Sequence, residues 1–426
     1  MDQEKRISVL LTFIDLLFLY ILDGNQHKRT CRNTNMIREI TVKNYKSIVS
    51  LNMHLSKFNV FIGANGCGKS NILESIALAA ASSANKLEQE YFDNRGIRFV
   101  DPLFMLPAFE DVEAKEIEII VNGEPNQAIQ SNIFFNQSAK PPRWEDRSLS
   151  YNRIMELLFQ KAGDHPKISD LLNVLKDVKK ASEHNGDDIV NIDIQESNRN
   201  FKITPSIPGF QKFMIYSLEE SRLRSIDDKK QIRPLGNRGE GLLPYLKELS
   251  QRPNGTEIIQ EINENLKLLD WFEELSIPSG QLSSEVNIRL HDSYLRESLE
   301  YFDQRSTNEG FLYLLFYLTL IISDETPSFF AIENIDASFN PKLCKEVTRR
   351  LIELAKKHNK QIIATTHNPA ILDALDLDDD DEKLLVVRRS VDGHTKINPI
   401  KYKPEAKMSL SEAWLKGLIG GLPNNF

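Results

Sequence analysis

The chain has 426 residues, 41% of them hydrophobic and 27% charged, with a net charge of −8. That length can bury a large core and hold more than one lobe, and the balance is that of a folded chain, not a disordered or collagen-like one. The acidic excess excludes a uniformly basic nucleic-acid coat but leaves a local basic face open. Three cysteines without paired spacing (Cys31, Cys67, Cys344) exclude a disulfide framework and a cysteine zinc site, and point to a reducing cytoplasm.

Ser8 to Leu22 is apolar apart from Ser8, Thr12 and Asp15. The stretch falls short of the roughly 20 residues that span a bilayer, and Asp15 near its centre is costly there. No small-residue cleavage site follows, which argues against a signal peptide. Residues 1–35 read as an extension upstream of a start at Met36, or else as a helix lying on a membrane surface. No stable membrane association is expected.

From Met36 the order is two strands, a loop and a helix. Lys57 to Ile62 reads as a buried strand, and Asn71 to Ala79 opens a helix. Between them stands Gly63-Ala64-Asn65-Gly66-Cys67-Gly68-Lys69-Ser70, a full G-x-x-x-x-G-K-S loop in the strand–loop–helix context its chemistry needs. The glycines let backbone N–H groups, those of Asn65 and Cys67 among them, turn toward a phosphate, and the helix N-terminus running into Asn71 adds its positive end. Lys69 is placed for the β- and γ-phosphates and the Ser70 hydroxyl for Mg²⁺. The loop predicts a nucleoside triphosphate site.

Further on, Glu116 to Val121 and Asn132 to Phe135 form a hairpin pattern around Asn122-Gly123. Ile168, Leu171, Leu172, Leu175 and Val178 recur at helical spacing, as do Ile258, Ile259, Ile262, Leu266 and Leu269 in a helical block from Gly239 to Leu275. A helix from Gly310 to Ile322, a strand from Ser328 to Ile332, a helix from Pro341 to His358, and strands at Gln361 to Thr365 and Leu384 to Arg388 complete the pattern. Strand–helix–strand with a helix-length crossover means a parallel sheet. The acidic run Asp376 to Glu382 reads as a solvated loop.

Four motifs in this order resemble those of the ABC-type ATPase heads of the SMC, RecF and OLD families. They are the opening strand Ile40 to Ser47 with the phosphate loop, Ser306-Thr307-Asn308-Glu309-Gly310 at a helix start, Phe329 to Asn340 as a Walker B strand and D-loop, and Ala364-Thr365-Thr366-His367-Asn368-Pro369 as a switch-histidine loop. The resemblance implies an α/β P-loop NTPase with a mixed, largely parallel sheet and a helical insertion lobe. Its halves would be 36–143 and 285–426, around a mainly helical 144–284. It also implies ATP and Mg²⁺ as ligands, held by Gly63, Asn65, Gly66, Cys67, Gly68, Lys69, Ser70 and Asn71. The signature residues Asn308 and Gly310 would act across a head-to-head homodimer or higher oligomer. Asn308 stands where a serine is usual, and Gly310 would let backbone approach the γ-phosphate. Ser70 and Glu333 would be the metal ligands. Glu333, Asn334, Asp336 and His367 would be the catalytic group, unless His367 serves structure alone.

The Walker B pair departs from the usual Asp-Glu, reading Glu333-Asn334. An amide cannot take a proton as a carboxylate does, so slow hydrolysis is expected. Asn334 could still orient water, and Asp336 could lend a nearby carboxylate. The tail Leu410 to Pro423 is similar to that of stand-alone prokaryotic OLD-like ATPases, such as the PtuA component of Septu antiphage systems. That resemblance implies a regulator of a separate nuclease effector, an HNH protein for instance, with no nuclease domain of its own. Alternatives are a RecF/SMC-like repair ATPase stimulated by DNA, touching it through Lys229, Lys230, Arg233, Arg349 or Arg350, and a non-hydrolysing ATP-binding scaffold.

Overall fold

A computed structural model describes residues 36–98, 100–110, 112–123, 127–148, 207–225, 233–278, 288–296, 301–401 and 408–422. The extension 1–35, the stripe from Ile168 to Val178, and Lys229 and Lys230 lie outside the described residues.

The centre is a six-stranded sheet ordered β13-β12-β3-β11-β10-β7. It comprises β3 (Phe58–Ile62), β7 (Ile215–Tyr216), β10 (Phe329–Ile332), β11 (Gln361–Thr365), β12 (Glu382–Arg389) and β13 (Thr395–Pro399). Five strands run parallel and β13 pairs antiparallel at one edge. Strand β3 lies between β11 and β12 and every one of its residues is buried, which is why Phe-Asn-Val-Phe-Ile shows no alternation. Its one polar side chain is fully paired. Asn59 donates to the Ser56 and Ile362 carbonyls at 2.7 and 3.1 Å and accepts from Ser56 N at 2.8 Å.

A second, antiparallel sheet has the order β2-β1-β4-β5-β6. Its strands are β1 (Glu39–Tyr45), β2 (Ile48–His54), β4 (Ile117–Asn122), β5 (Ala128–Asn136) and β6 (Arg143–Asp146). The hairpin pattern at 116–135 is thus realised as β4–β5, with Ile117 opposite Ile133. Helix α1 (Lys69–Ser83) is buried throughout except at Ser70 and Asn71. It packs in one core cluster with residues of both sheets, among them Ile40 and Ile119 on one side and Phe61 and Ile363 on the other. A helix between two sheets has no solvent face, which accounts for its alanine run.

The other face of the central sheet is covered by α2 (Leu242–Ser250), α3 (Gly255–Leu266), α4 (Glu309–Ile322) and α5 (Pro341–Lys357), which share the second cluster. Helix α4 is buried from Phe311 to Ile322, whereas α5 buries one stripe including Val347, Leu351 and Ala355. A short α6 (Leu410–Leu415) closes the described chain.

Four local expectations need correction. The block Gly239–Leu275 is two helices followed by β8 (Phe272–Ser276), which pairs with β9 (Arg289–Asp292). Pro253, which lacks an amide donor, lies in the break between the two helices. The acidic run is not wholly solvated. Glu382 is 8% exposed and opens β12, and Lys356 pairs with both Asp379 and Glu382 at 2.7 and 2.6 Å. Strand β13 follows the strand read as last, its short polar sequence and Pro399 suiting a sheet edge. Finally, β7 draws residues 215–216, from within the span 144–284, into the central sheet beside β10.

Candidate functional site

The phosphate loop leaves the C-terminal end of β3, where parallel strands open a crevice. Gly63, Gly66 and Gly68 have φ of 153°, 74° and 108°. A Cβ at Gly63 would meet the Val387 carbonyl and one at Gly68 the Thr395 side chain, whereas Gly66 faces open space. Gly66 is therefore required by conformation, and the other two by conformation and space together. Helix α1 starts at Gly68 without a side-chain cap, while α4, α5 and α6 are capped by Asn308, Asn340 and Ser409. Uncapped N–H groups on a glycine loop are what an anion needs.

Lys69 is 8% exposed, and its ammonium donates to the Gly63 and Ala64 carbonyls at 2.8 and 3.2 Å. Burial pulls its pKa below the ordinary 10.5, with Cys67 and Glu333 pulling the other way. Ser70 Oγ donates to Glu333 Oε1 at 2.5 Å, so the two residues read as metal ligands sit side by side although far apart in sequence. A hydroxyl and a carboxylate of this kind suit Mg²⁺, which takes few protein oxygens and completes its shell with phosphate oxygens and water. Among the described residues no cluster of three or more His, Cys, Asp or Glu could hold a metal by itself.

The remaining Walker B residues serve the backbone as well. Asn334 is exposed and left-handed (φ 52°), its N–H donating to Thr365 Oγ1 at 3.0 Å and its carbonyl accepting from Ala337 N at 2.8 Å. Asparagine tolerates that conformation better than glutamate does, a reason for its presence that sequence reading did not reveal. Asp336 accepts from Thr366 Oγ1 at 2.7 Å, tying the D-loop to the residue before His367. His367 lies in the field of Lys69 and Asp336. Desolvation and then Lys69 hold its imidazole below the ordinary 6.5, against the pull of Asp336. It is therefore neutral at pH 7, and one of its ring nitrogens can donate.

Asn308 and Gly310 lie at the start of α4. The Asn308 side-chain Oδ1 accepts from Phe311 N at 2.8 Å, so this residue caps the helix. A Cβ on Gly310 would stand 2.9 Å from the Ser338 carbonyl. The signature and D-loop segments of one chain therefore pack together.

Sequence reading missed a second tier of residues. Thr395 Oγ1 donates to the Cys67 carbonyl at 3.0 Å and is 2.7 Å from Ser47 Oγ, which accepts from Asn71 Nδ2 at 2.7 Å. Arg389 Nε donates to the Gly66 carbonyl at 3.0 Å. Beside them a cavity of about 440 Å³ is lined by Lys46, Ser47, Asn71, Arg98, Phe109 and Arg389, among others. The Glu74 carboxylate, 2% exposed, receives Lys46 at 2.5 Å, Tyr45 at 3.2 Å and Arg98. Asn71 and the Lys46-Ser47 end of the opening strand hinted at this tier. The predicted DNA contacts Arg349 and Arg350 pair with Glu346 and Glu353 on their own helix at 3.5 and 3.3 Å.

A parallel sheet, a phosphate loop at its C-terminal edge and a Ser–Glu pair beside that loop define a P-loop nucleotide-binding ATPase. Residues 58–373, well over half of the chain, match the family described as "AAA domain, putative AbiEii toxin, Type IV TA system", and the chain belongs to it. The fold is similar to that of an SMC head solved bound to the C-winged helix domain of ScpA, with a TM-score of 0.50 and 17% identity over 88% of this chain and 100% of that one. The SMC head domain of Thermotoga maritima matches at 0.43 and 13% over 86% and 100%. A Pyrococcus furiosus SMC head with an extended coiled coil, bound to the C-terminal domain of ScpA, matches at 0.45 and 15% over 90% and 99%. No curated protein matches the chain in sequence. Among the described residues no helix is long and apolar enough to cross a membrane.

Proposed function

We propose that this chain is an ATP-binding, slowly hydrolysing head that works as a pair and gates a separate effector, a nuclease, in prokaryotic antiphage defence. The observation that carries it is the Ser70–Glu333 contact beneath a complete phosphate loop, followed by an amide, Asn334, where a general base is expected. Gly63, Asn65, Gly66, Cys67, Gly68 and Asn71 supply the loop and helix start for the phosphates, and Lys69 exchanges loop carbonyls for phosphate oxygens. Mg²⁺ held by Ser70 and Glu333 would neutralise charge on the phosphates. The cavity between Lys46, Phe109 and Arg389 takes the nucleoside end. Neutral His367 senses the γ-phosphate by donating to it, and Asp336 orients its loop through Thr366. Asn334 orients water without accepting its proton, which keeps turnover slow.

Asn308 and Gly310 at the start of α4 support the pairing: on this reading they meet nucleotide held by a second copy. The family description names a toxin–antitoxin component, which is compatible with a two-part defence system. The span 144–284 is read as an insertion that returns to the core at β7.

ATP turnover of the purified protein, with and without duplex DNA, tests the reading. Wild type should bind ATP, turn over slowly and ignore DNA, and Lys69→Ala should lose binding. Asn334→Asp, which keeps left-handed tolerance while adding a carboxylate, should raise turnover, and Asn334→Glu should do so less cleanly. Brisk turnover accelerated by DNA would replace this account with that of a repair-type ATPase.

A further inference from the structure

The chain leading into the signature motif has little ladder structure to hold it. Residues 303–308 lie between an isolated bridge at Phe302 and the start of α4. Within this run, Asp303 accepts from the N–H groups of Arg305 and Ser306, both at 3.0 Å, which makes a tight turn. The carbonyls of Gln304, Arg305 and Thr307 all converge on one side chain. Arg224 Nη1 donates to the Gln304 carbonyl and, at 3.2 Å, to that of Arg305, while Nη2 donates to that of Thr307 at 2.9 Å. Glu220 fixes the fork from the other side, accepting from Nε at 3.0 Å and Nη2 at 2.7 Å.

Arg224 belongs to a segment that begins at the nucleotide site. The Tyr216 carbonyl, at the end of β7, accepts from Glu333 N at 2.8 Å, and the Met214 carbonyl accepts from Ala331 N at 2.9 Å. Beyond β7, Ser217 N and Glu219 N donate to the Asn237 and Arg238 carbonyls at 2.8 and 2.9 Å, and the Leu218 carbonyl accepts from Tyr313 of α4 at 2.9 Å. A short anchored strut thus runs from the backbone of Glu333, beside Ser70, to the three carbonyls that set Asn308.

We propose that Arg224, oriented by Glu220, is a positioning residue for the signature half of the ATP site. It couples the Glu333 end of β10 to the placement of Asn308 and the N-terminus of α4. A planar guanidinium can serve three carbonyls and a carboxylate together, whereas a lysine ammonium cannot hold that fork. The inference rests on the reading that Asn308 and Gly310 meet nucleotide held by a second copy.

The test compares wild type with Arg224→Lys, Arg224→Ala and Glu220→Gln. It measures affinity for a fluorescent ATP analogue at a concentration where the protein is monomeric, ATP-dependent self-association by sedimentation, and thermal unfolding. The expected result is analogue affinity within about twofold of wild type, with association weakened about tenfold or more in Arg224→Ala, as for the loss of a charge-assisted interaction. Arg224→Lys and Glu220→Gln should fall between, with little change in melting. ATP-dependent association of Arg224→Ala equal to wild type overturns the inference, as does an equal loss in analogue binding, which would mean a general structural role. Wild type that never associates with ATP overturns the pairing itself, a failure recognised before any variant is examined.

Discussion

The three loop glycines do different jobs, and the difference can be measured. At Gly66 an alanine has room and pays only for a left-handed backbone, about 1 kcal/mol. At Gly68 the same methyl pays that cost and also drives into Thr395, which is held between Ser47 and the Cys67 carbonyl. ATP-analogue titration should therefore rank wild type above Gly66→Ala and Gly66→Ala above Gly68→Ala, with the last at least tenfold weaker than the second. Equal losses would mean that Thr395 yields and the loop is not templated from β13. At this scale the sequence was informative where chemistry forces a residue type at a fixed spacing. Lys69, Ser70 and the glycines announce themselves, and Glu333 follows from its place at the end of a buried strand. Arg389, Thr395 and Arg224 do not, because each acts by reaching a backbone carbonyl, and carbonyls leave no mark in a sequence.

The elements were legible where their patterns were long. Strand β11 spans the residues expected, and α4 and α5 deviate from expectation only at their ends. The pattern misled where the helical block ran on into a strand, as at Phe272–Ser276, and where a partner rescued a charge, as Lys356 does for Glu382. A further buried charge gives a prediction at this scale. Lys360, just before β11, is 3% exposed and donates to the Ser323, Thr326 and Pro327 carbonyls at 2.7, 3.2 and 3.4 Å, binding the turn that ends α4. Burial lowers its pKa from 10.5 to about 8. Between those two values the unfolded chain holds a proton that the folded chain has released, so folding becomes more favourable as pH rises through that window. The cost of burying the charge is present in full below about 8. Melting curves should show this contribution as a rise in stability from pH 8 to 10.5 that is absent in Lys360→Met. An identical slope in the variant would assign the effect to other groups.

At the scale of the whole molecule, the end of the described chain returns to the nucleotide site. Ser411 N and Oγ donate to Asp373 at 3.0 and 2.7 Å, fastening α6 to the short helix Pro369–Ala374 that follows His367. Trp414 is buried beneath, and after Gly417, Gly420 and Gly421 the backbone passes close to the phosphate loop. A Cβ on Gly421 would stand 3.4 Å from Gly63 Cα and 3.1 Å from Val386 Cγ1. The switch-histidine segment and the loop's first glycine are thus braced by one C-terminal hook, remote from both in sequence. Gly421→Val adds a branched three-carbon side chain at a φ of 84°, with Val386 Cγ1, Gly63 Cα and Trp414 Nε1 at 3.1, 3.4 and 3.4 Å from the position of its first carbon. Its strain must be relieved at the hook or at the phosphate loop. Because Trp414 and the Ser411–Asp373 pair anchor the hook, the loop should yield, and ATP-analogue affinity should fall about tenfold while the exposed control Leu418→Ser stays at the wild-type value. Unchanged affinity with a lowered melting point would show that the hook gives way instead, leaving the phosphate loop braced by β12 and β13 alone.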